Sequence, residues 1–182
     1  MGHVEDAFRS EIQCLLNKQS IQEVLADYAR GIDRCDEDLL RSVYHEDAMD
    51  FHGIFDGPAS QFIQIALEAQ RKKIHSSHLL GQSKIDFVGN GAYVETYFWS
   101  CDLTERPLAG MSVSGEGPFI TFMSGRYADW FEDRAEGWRI AERKVLLDWV
   151  HAMPLECGGL PMFEVFHQSF KSKEDPAYGR SE

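Results

Sequence analysis

Basic residues are scarce in this chain, and long apolar runs are missing. Lys and Arg total 18 against 30 Asp and Glu, which gives a net charge of -12. Nucleic acids and anionic membrane surfaces attract basic patches, so we expect neither as a partner. No apolar run approaches the about 18 residues that a membrane span needs. Residues 1–10 lack the basic-then-apolar pattern of an export signal, so we expect a cytoplasmic protein.

Cysteine is also sparse, and no motif for a metal or a nucleotide is present. The four cysteines stand apart without C-x-x-C spacing, at Cys14, Cys35, Cys101 and Cys157. This disfavours a zinc site and a redox dithiol, and free thiols are expected where an export signal is lacking. His75 and His78 would point to opposite faces of a strand, which makes a poor chelate. We predict no metal site.

The chain has the length and composition of one soluble domain. It has 182 residues, of which 43% are hydrophobic and 26% charged. We place the domain at 1–151 and expect 152–182 to be an extension that packs on the domain or on a neighbouring subunit.

Helical patterns fill the first part of the chain. One apolar stripe runs from Val4 to Leu16, and a second helix is predicted from a capping box formed by Ser20 and Glu23. Asp36 has the position of an N-cap for a short third helix, and a fourth is predicted over 60–73.

Strand patterns follow. A short strand is predicted over 48–54 and longer ones over 75–88, 92–103, 119–131 and 138–149. Gly89-Asn90-Gly91 indicates a hairpin between the first two long strands. Helices followed by an antiparallel meander predict an α+β fold with the helices on one face of a curved sheet.

Arg143 has the strongest local signal. Alternation in the last predicted strand places it on one face with a set of mostly apolar residues: Arg139, Ala141, Val145, Leu147 and Trp149. An arginine on such a face needs either a buried carboxylate partner or a cavity that requires a fixed cation.

Three further groups allow two interpretations each. Asp33 is either a solvated carboxylate at a helix end or one that points into a cavity and orients a histidine. His78 is either structural or a base. The third group consists of aromatic residues and one histidine, which would form either core or the walls of a pocket for an apolar cyclic ligand: Phe51, His52, Tyr97, Trp99, Phe122 and Trp149.

Three motifs together resemble a known family. They are Tyr28-Ala-Arg-Gly-Ile-Asp33, His78-Leu-Leu-Gly81 at the start of a long strand, and the run from Gly137 through Arg143 to Trp149. In this order they resemble the SnoaL-like, polyketide-cyclase-like branch of the nuclear transport factor 2 superfamily, over about Glu11 to Trp149. The resemblance implies a cone, in which helices close a curved mixed sheet around a deep pocket.

The resemblance also implies an activity. Relatives such as scytalone dehydratase, hexachlorocyclohexane dehydrochlorinase and bile acid 7α-dehydratase are usually cofactor-free and act on apolar cyclic molecules by proton abstraction. Carried over, His78 would be the base, Asp33 would orient it, Tyr28 would donate a hydrogen bond or a proton, and Arg143 would hold a substrate oxygen. We therefore expect a cofactor-independent lyase or isomerase that forms a dimer or trimer.

Two alternatives stay open. The same fold forms the non-catalytic small subunit of ring-hydroxylating dioxygenases, and it also occurs as a ligand-binding cone, so fold membership alone does not establish activity. The limonene-epoxide-hydrolase branch would require a second pocket aspartate besides Asp33 and Arg143.

Overall fold

The computed structural model describes residues 2–155 and 166–179 and confirms an α+β fold. Its elements are, in chain order, α1 (Gly2–Asp33), α2 (Glu37–Ser42), β1 (Tyr44–Phe51), β2 (Asp56–Pro58), α3 (Ala59–Arg71), β3 (His75–Val88), β4 (Gly91–Thr104), β5 (Phe119–Arg134) and β6 (Gly137–Pro154), followed by a short 3-10 turn (Pro176–Tyr178). Within those two ranges, no helix combines the length and apolar character needed to cross a membrane.

One curved mixed sheet contains all six strands, in the order β2-β1-β6-β5-β4-β3. The long strands β3 to β6 form the predicted antiparallel meander, and β1 adds to β6 in parallel. Gly89 has φ +61° in the two-residue turn between β3 and β4, a conformation that favours glycine.

The helices cover one face of the sheet, which we call the inner face. Apolar side chains of β4 and β5 point to this face and form the core with Leu25 and Tyr28 of α1, among them Val94, Phe98 and Tyr127. The other face of the sheet is called the outer face. Cross-strand partners point to the same side, so the register assigns every strand residue to one face or the other.

The two predicted N-terminal helices are one helix, which corrects the interpretation of Ser20. The Ser20 hydroxyl donates to the carbonyl oxygen of Leu16 at 3.0 Å instead of capping a new helix, so α1 continues through this point. Ile21 is buried, whereas Phe8 is 60% and Leu15 65% exposed, so the first stripe does not join the core. The side chain of Val4 lies outside the described part.

The short helix α2 begins as predicted. The Asp36 carboxylate accepts a hydrogen bond from the backbone N–H of Leu39 at 3.2 Å, which caps the helix. Gly31 near the end of α1 permits a close approach, because a Cβ atom there would lie 3.1 Å from the backbone nitrogen of Leu40. The chain can therefore fold back directly after Asp33.

Two β-bulges in β6 correct the predicted alternation. The register with β5 shifts between the partners of Ile140 and Glu142, and again between those of Leu147 and Trp149. Each shift adds one residue to β6 and reverses the side to which the strand points. Arg143 shares the inner face with Val145 and Leu147 as predicted, but Arg139 and Trp149 lie on the outer face.

Residues 166–179 lie against the end of α1 and against α2. The Arg30 guanidinium stacks over the ring of Tyr178 at 4.0 Å, and the Arg34 Nε atom lies 3.2 Å from an Asp175 carboxylate oxygen. Lys173 pairs with Asp38 at 2.9 Å. The predicted 152–182 extension falls partly outside the described residues, at 156–165 and 180–182, and β6 itself runs to Pro154.

Candidate active site

The chain brings Asp33 and His78 together, although 45 positions separate them. Asp33 is the last residue of α1, and His78 points to the inner face of β3 opposite Ser100. The His78 Nδ1 atom lies 2.7 Å from Asp33 Oδ1. An ionised carboxylate can only accept hydrogen bonds, so a neutral His78 ring in this contact carries its proton on Nδ1 and its free lone pair on Nε2.

Two more donors fix the Asp33 carboxylate. The backbone N–H of His78 donates to Oδ2 at 2.8 Å, and the Ser76 hydroxyl lies 3.4 Å from Oδ1. Asp33 is buried and the His78 side chain is 12% exposed. No hydrogen bond to Nε2 is made by the described residues. The pair is held in place from the carboxylate side and left open at the nitrogen that can accept a proton.

A cleft of about 430 Å³ adjoins this pair, between α1 and β3. The helix lines it with Gln22, Leu25, Ala26 and Ala29, and the strand with residues from His78 to Ser83. Ligand cavities in proteins usually measure about 300–1,000 Å³, so the cleft is large enough for a small ring.

Arg143 has the buried carboxylate partner that its position required. It is fully buried and makes a bidentate pair with Asp129, with Nε 2.8 Å from Oδ1 and Nη2 2.7 Å from Oδ2. The guanidinium carbon lies 4.0 Å from the ring centre of Tyr28 and 4.1 Å from that of Tyr127. Its Nη1 atom has no hydrogen-bond partner among the described residues.

Burial and charge act against each other in this group. Burial alone would lower the pKa of Arg143, but Asp129, Tyr44 and Tyr28 together raise that pKa well above its usual value. Burial raises the pKa of Tyr28 to about 12, with Arg143 opposing the shift. Tyr28 thus packs against Arg143, and no hydrogen bond joins it to Asp33 or His78 in the described part of the chain.

A second histidine–aspartate pair lies at the end of β1. The His52 Nδ1 atom is 2.9 Å from Asp50 Oδ1, and the Tyr44 hydroxyl donates to Asp50 Oδ2 at 2.7 Å. The His52 ring stacks on Phe62 of α3, with ring centres 4.3 Å apart. His52 was predicted from the sequence as a pocket-lining residue, whereas Asp50 was missed. The alternation of Ala48, Asp50 and His52 on one face of a short strand was the available signal.

The predicted aromatic walls do not assemble around Asp33 and His78. The cross-strand register places five of the six residues on the outer face: Phe51, Tyr97, Trp99, Phe122 and Trp149. The Trp99 and Trp149 rings meet edge to face at 5.1 Å there, with 52% and 41% of these residues exposed. The bulge beside Asp148 is the reason that Trp149 points away from the helices.

The described residues contain no cluster of potential metal ligands. Across 2–155 and 166–179, no group of three or more His, Cys, Asp or Glu residues is placed to hold a metal ion. Cys14, Cys35 and Cys101 are free thiols, and Cys157 lies outside the described residues.

Residues 13–144 match the SnoaL-like domain family, which is more than half of the chain. The protein belongs to the SnoaL-like domain family. This confirms the family that the three motifs indicated, although no curated protein sequence matches the chain.

Several solved structures have a fold similar to that of this chain. A hexachlorocyclohexane dehydrochlorinase from Novosphingobium barchaimii has a TM-score of 0.68 at 14% identity, covering 83% of this chain and 99% of its own. A scytalone dehydratase-like protein from Novosphingobium aromaticivorans has a TM-score of 0.62 at 18% identity, with coverages of 80% and 97%.

A nuclear transport factor 2-like superfamily protein from Salmonella enterica has a TM-score of 0.61 at 19% identity, covering 80% of this chain and 96% of its own. At these identities the likeness establishes the fold, which agrees with the expected cone architecture.

Proposed function

We propose that this protein is a cofactor-independent lyase or isomerase in which His78 is the general base. The observation that supports the proposal is the 2.7 Å contact between His78 Nδ1 and an Asp33 carboxylate held by two further donors. A dehydratase-like and a dehydrochlorinase neighbour share the fold, which supports the same reaction class. The substrate would be a small, mainly apolar ring, in keeping with the cleft beside His78.

The reaction begins with transfer of a proton from a ring carbon to His78 Nε2. In an elimination, the electron pair of the broken C–H bond forms a C=C bond, and the leaving group departs from the next carbon with its own bonding pair. In an isomerisation or ring closure, the imidazolium returns the proton to another atom. Asp33 stabilises the imidazolium in both cases, and general base catalysis of this kind contributes about 10²–10⁴-fold to the rate.

Tyr28 and Arg143 receive a different assignment in this proposal. Both are buried, and the arginine already binds Asp129 through two hydrogen bonds. We assign them to positioning: they hold the inner wall of the cone rigid behind Asp33. The unpartnered Nη1 of Arg143 is the atom that could still bind a substrate oxygen.

The test follows hydrogen–deuterium exchange on a probe, 2-tetralone, at the carbon between its carbonyl and its aromatic ring. A base that accepts a ring proton exchanges this position in deuterated water without needing the natural leaving group. We expect His78→Ala to lower the protein-catalysed exchange rate by about 10²–10⁴-fold while the fold survives. Added imidazole should restore part of the rate, because the backbone N–H of residue 78 still holds Asp33.

His52→Ala is the matched control, because it removes the other histidine that bonds to an aspartate. It should leave the exchange rate unchanged. Equal rates for the wild type and His78→Ala would contradict the proposal. A folded wild type that adds nothing to the uncatalysed exchange of a set of ring ketones would favour the alternative, a non-catalytic subunit or ligand-binding cone.

We also propose that the protein forms a homo-oligomer through the outer face. Trp99 and Trp149 form the centre of an exposed apolar patch there, and such patches on soluble proteins are commonly interfaces. Arg126 lies beside the patch between Glu95 and Asp148, at 3.3 and 3.9 Å. Because both charge signs occur within one patch, it is complementary to a two-fold copy of itself. Light scattering should show dissociation in Trp99→Glu but not in Tyr93→Glu.

A further inference from the structure

The part of the inner face next to His78 carries polar side chains, although a protein core is usually apolar. The register aligns His78, Ser100 and Met123 in one cross-strand row, and Ser76, Asp102 and Thr121 in the next. Ser100 is 3% exposed, and Asp102 and Thr121 are fully buried. Two adjacent rows therefore place hydroxyl and carboxylate groups inside the cone, directly beside the catalytic pair.

Several of these polar atoms lack a hydrogen-bond partner. In the part of the chain that the structure describes, Ser100 Oγ, Thr121 Oγ1 and Asp102 Oδ1 are buried and unpaired, while Asp102 Oδ2 accepts from Lys73 Nζ at 2.7 Å. A buried hydroxyl without a partner costs about 1–3 kcal/mol. Alanine and valine would fill the same strand positions without this cost, so the two hydroxyls require an explanation other than packing.

An open apolar surface continues from the same rows. On β5 and β6 the inner face carries Met123, Leu147 and Val150, which we call the apolar shelf. Leu147 is 55% and Val150 42% exposed, although both point to the side on which the helices pack. Met123 is the cross-strand partner of Ser100 in the first row, so the apolar shelf directly adjoins the buried hydroxyls.

Positive charge lies at the far edge of the hydroxyls. Besides Lys73, Lys171 reaches this region, and its Nζ atom donates to Gln70 Oε1 at 3.0 Å. Burial lowers the pKa of Lys171, and Lys73 adds to the effect while Cys35, Asp102 and Asp33 oppose it. Lys73 offsets the charge of the Asp102 carboxylate, and Lys171 adds a further positive charge that favours an electron-rich ligand atom on this side.

We propose that Ser100 and Thr121 form an oxygen-binding subsite, and that the substrate is an apolar ring bearing a carbonyl group. The ring would extend from the cleft beside His78 over the apolar shelf, and its carbonyl oxygen would accept hydrogen bonds from both hydroxyls. This inference rests on the proposed function, because it places the acidic C–H bond next to the carbonyl and within reach of His78. Side chains directly opposite each other, such as His78 and Ser100, have Cβ atoms about 4.5–5.5 Å apart, which suits adjacent ring positions.

The chemistry of the subsite follows from the proton transfer. When His78 Nε2 takes the proton on the carbon next to the carbonyl, the C–H electron pair forms a C=C bond and the C=O π pair moves onto oxygen. The resulting enolate oxygen carries more charge than the ketone oxygen. Its hydrogen bonds from Ser100 and Thr121 therefore strengthen during the reaction, which is the requirement for catalysis by such donors.

The experiment compares two probes that differ by one oxygen, 2-naphthol and naphthalene. 2-Naphthol resembles the enol form of 2-tetralone, and its binding needs no proton transfer to His78. We expect Ser100→Ala/Thr121→Val to weaken 2-naphthol binding about tenfold and to leave naphthalene binding unchanged. The melting temperature of the double variant should stay the same or rise, because two unpaired buried hydroxyls are removed.

The outcomes separate this inference from the proposed function. His78→Ala should keep 2-naphthol binding while it loses 2-tetralone exchange. If the wild type shows no exchange but its 2-naphthol affinity depends on the two hydroxyls, the subsite stands and the base assignment is wrong. Equal 2-naphthol affinities in the wild type and the double variant overturn the subsite, as does a wild type that binds 2-naphthol no more tightly than naphthalene.

Discussion

Two pairs of ionisable side chains face the inside of the same sheet, and they differ in what surrounds them. Asp129 and Arg143 are completely enclosed, and two tyrosine rings cover the guanidinium. Asp33 and His78 keep 10% and 12% of their side chains exposed, and a cleft adjoins them. In the enclosed pair, Nε and Nη2 of Arg143 bind both carboxylate oxygens of Asp129, whereas the imidazole of His78 keeps one nitrogen free beside a cleft. Enclosure thus distinguishes a pair that supports the fold from the pair to which the proposed function assigns proton transfer.

Removing the arginine should produce the largest change in stability. Arg143→Met leaves Asp129 buried without a partner, and breaking such a pair costs about 3–5 kcal/mol. The free energy of unfolding, measured in urea, should fall by that amount. The double variant Arg143→Met/Asp129→Leu should recover most of the loss, because no buried charge is left. If Arg143→Met were as stable as the wild type, the Asp129–Arg143 pair would not support the fold in the way described above.

A change at Asp33 should lower the activity more strongly than the stability. Asp33→Asn keeps the size of the side chain but supplies an amide in place of a charge that accepts three hydrogen bonds. We expect stability to fall by about 1.5–3 kcal/mol and the 2-tetralone exchange rate to fall nearly as far as in His78→Ala. An exchange rate close to that of the wild type would show that the aspartate does not orient the base.

The Asp50–His52 pair tests whether geometry alone creates activity. It has a similar Nδ1–Oδ1 contact, at 2.9 Å, but the His52 ring lies flat on Phe62. Asp50→Asn should therefore destabilise the protein by about 1–3 kcal/mol, through the hydrogen bonds to Tyr44 and His52, and leave exchange unaffected. Loss of exchange in this variant would locate the base at β1 and not at β3.

The smallest expected effect concerns Lys171, and it depends on pH. Its pKa is lowered from 10.5, mainly by burial, so the charged amine opposes folding at pH values below its folded pKa. This cost disappears as the pH rises through the folded pKa towards 10.5, because the amine is then neutral in both states. Lys171→Met should raise the melting temperature at neutral pH, and the difference should vanish in alkaline buffer. Lys173→Met, at an exposed lysine of the same segment, should not stabilise.

Local sequence patterns predicted the elements better than they predicted how those elements meet. The bounds of β3 follow from its composition and from the Gly89 turn, and Asp36 was identifiable as an N-cap. The continuity of α1 was not, because Ser20 and Glu23 fit a capping box, and only the bond from Ser20 to Leu16 distinguishes the two cases. The two β-bulges of β6 could not be predicted either, since no residue type in this strand indicates an extra residue at those positions.

The residues of the candidate site were predictable where they belong to a family motif. Asp33 and His78 followed from the family resemblance, and local patterns left both ambiguous. Alternation predicted that Arg143 needs a carboxylate, but the choice of Asp129 depends on the β5–β6 register, which is a property of the folded sheet. Ser100 and Thr121 gave no signal, because a hydroxyl in a strand is ordinary until its burial and its missing partner are known.

The extra residue at the second bulge also bears on how the cone can evolve. Deleting Asp148 would restore plain alternation and leave Trp149 opposite Ser124 on the outer face, because Trp149 would then follow Leu147 directly. A single in-frame deletion at this position would therefore shorten β6 by one residue without changing the faces of Leu147, Trp149 and Val150. The bulge is thus a point where β6 can lose one residue and still keep its inner and outer side chains apart.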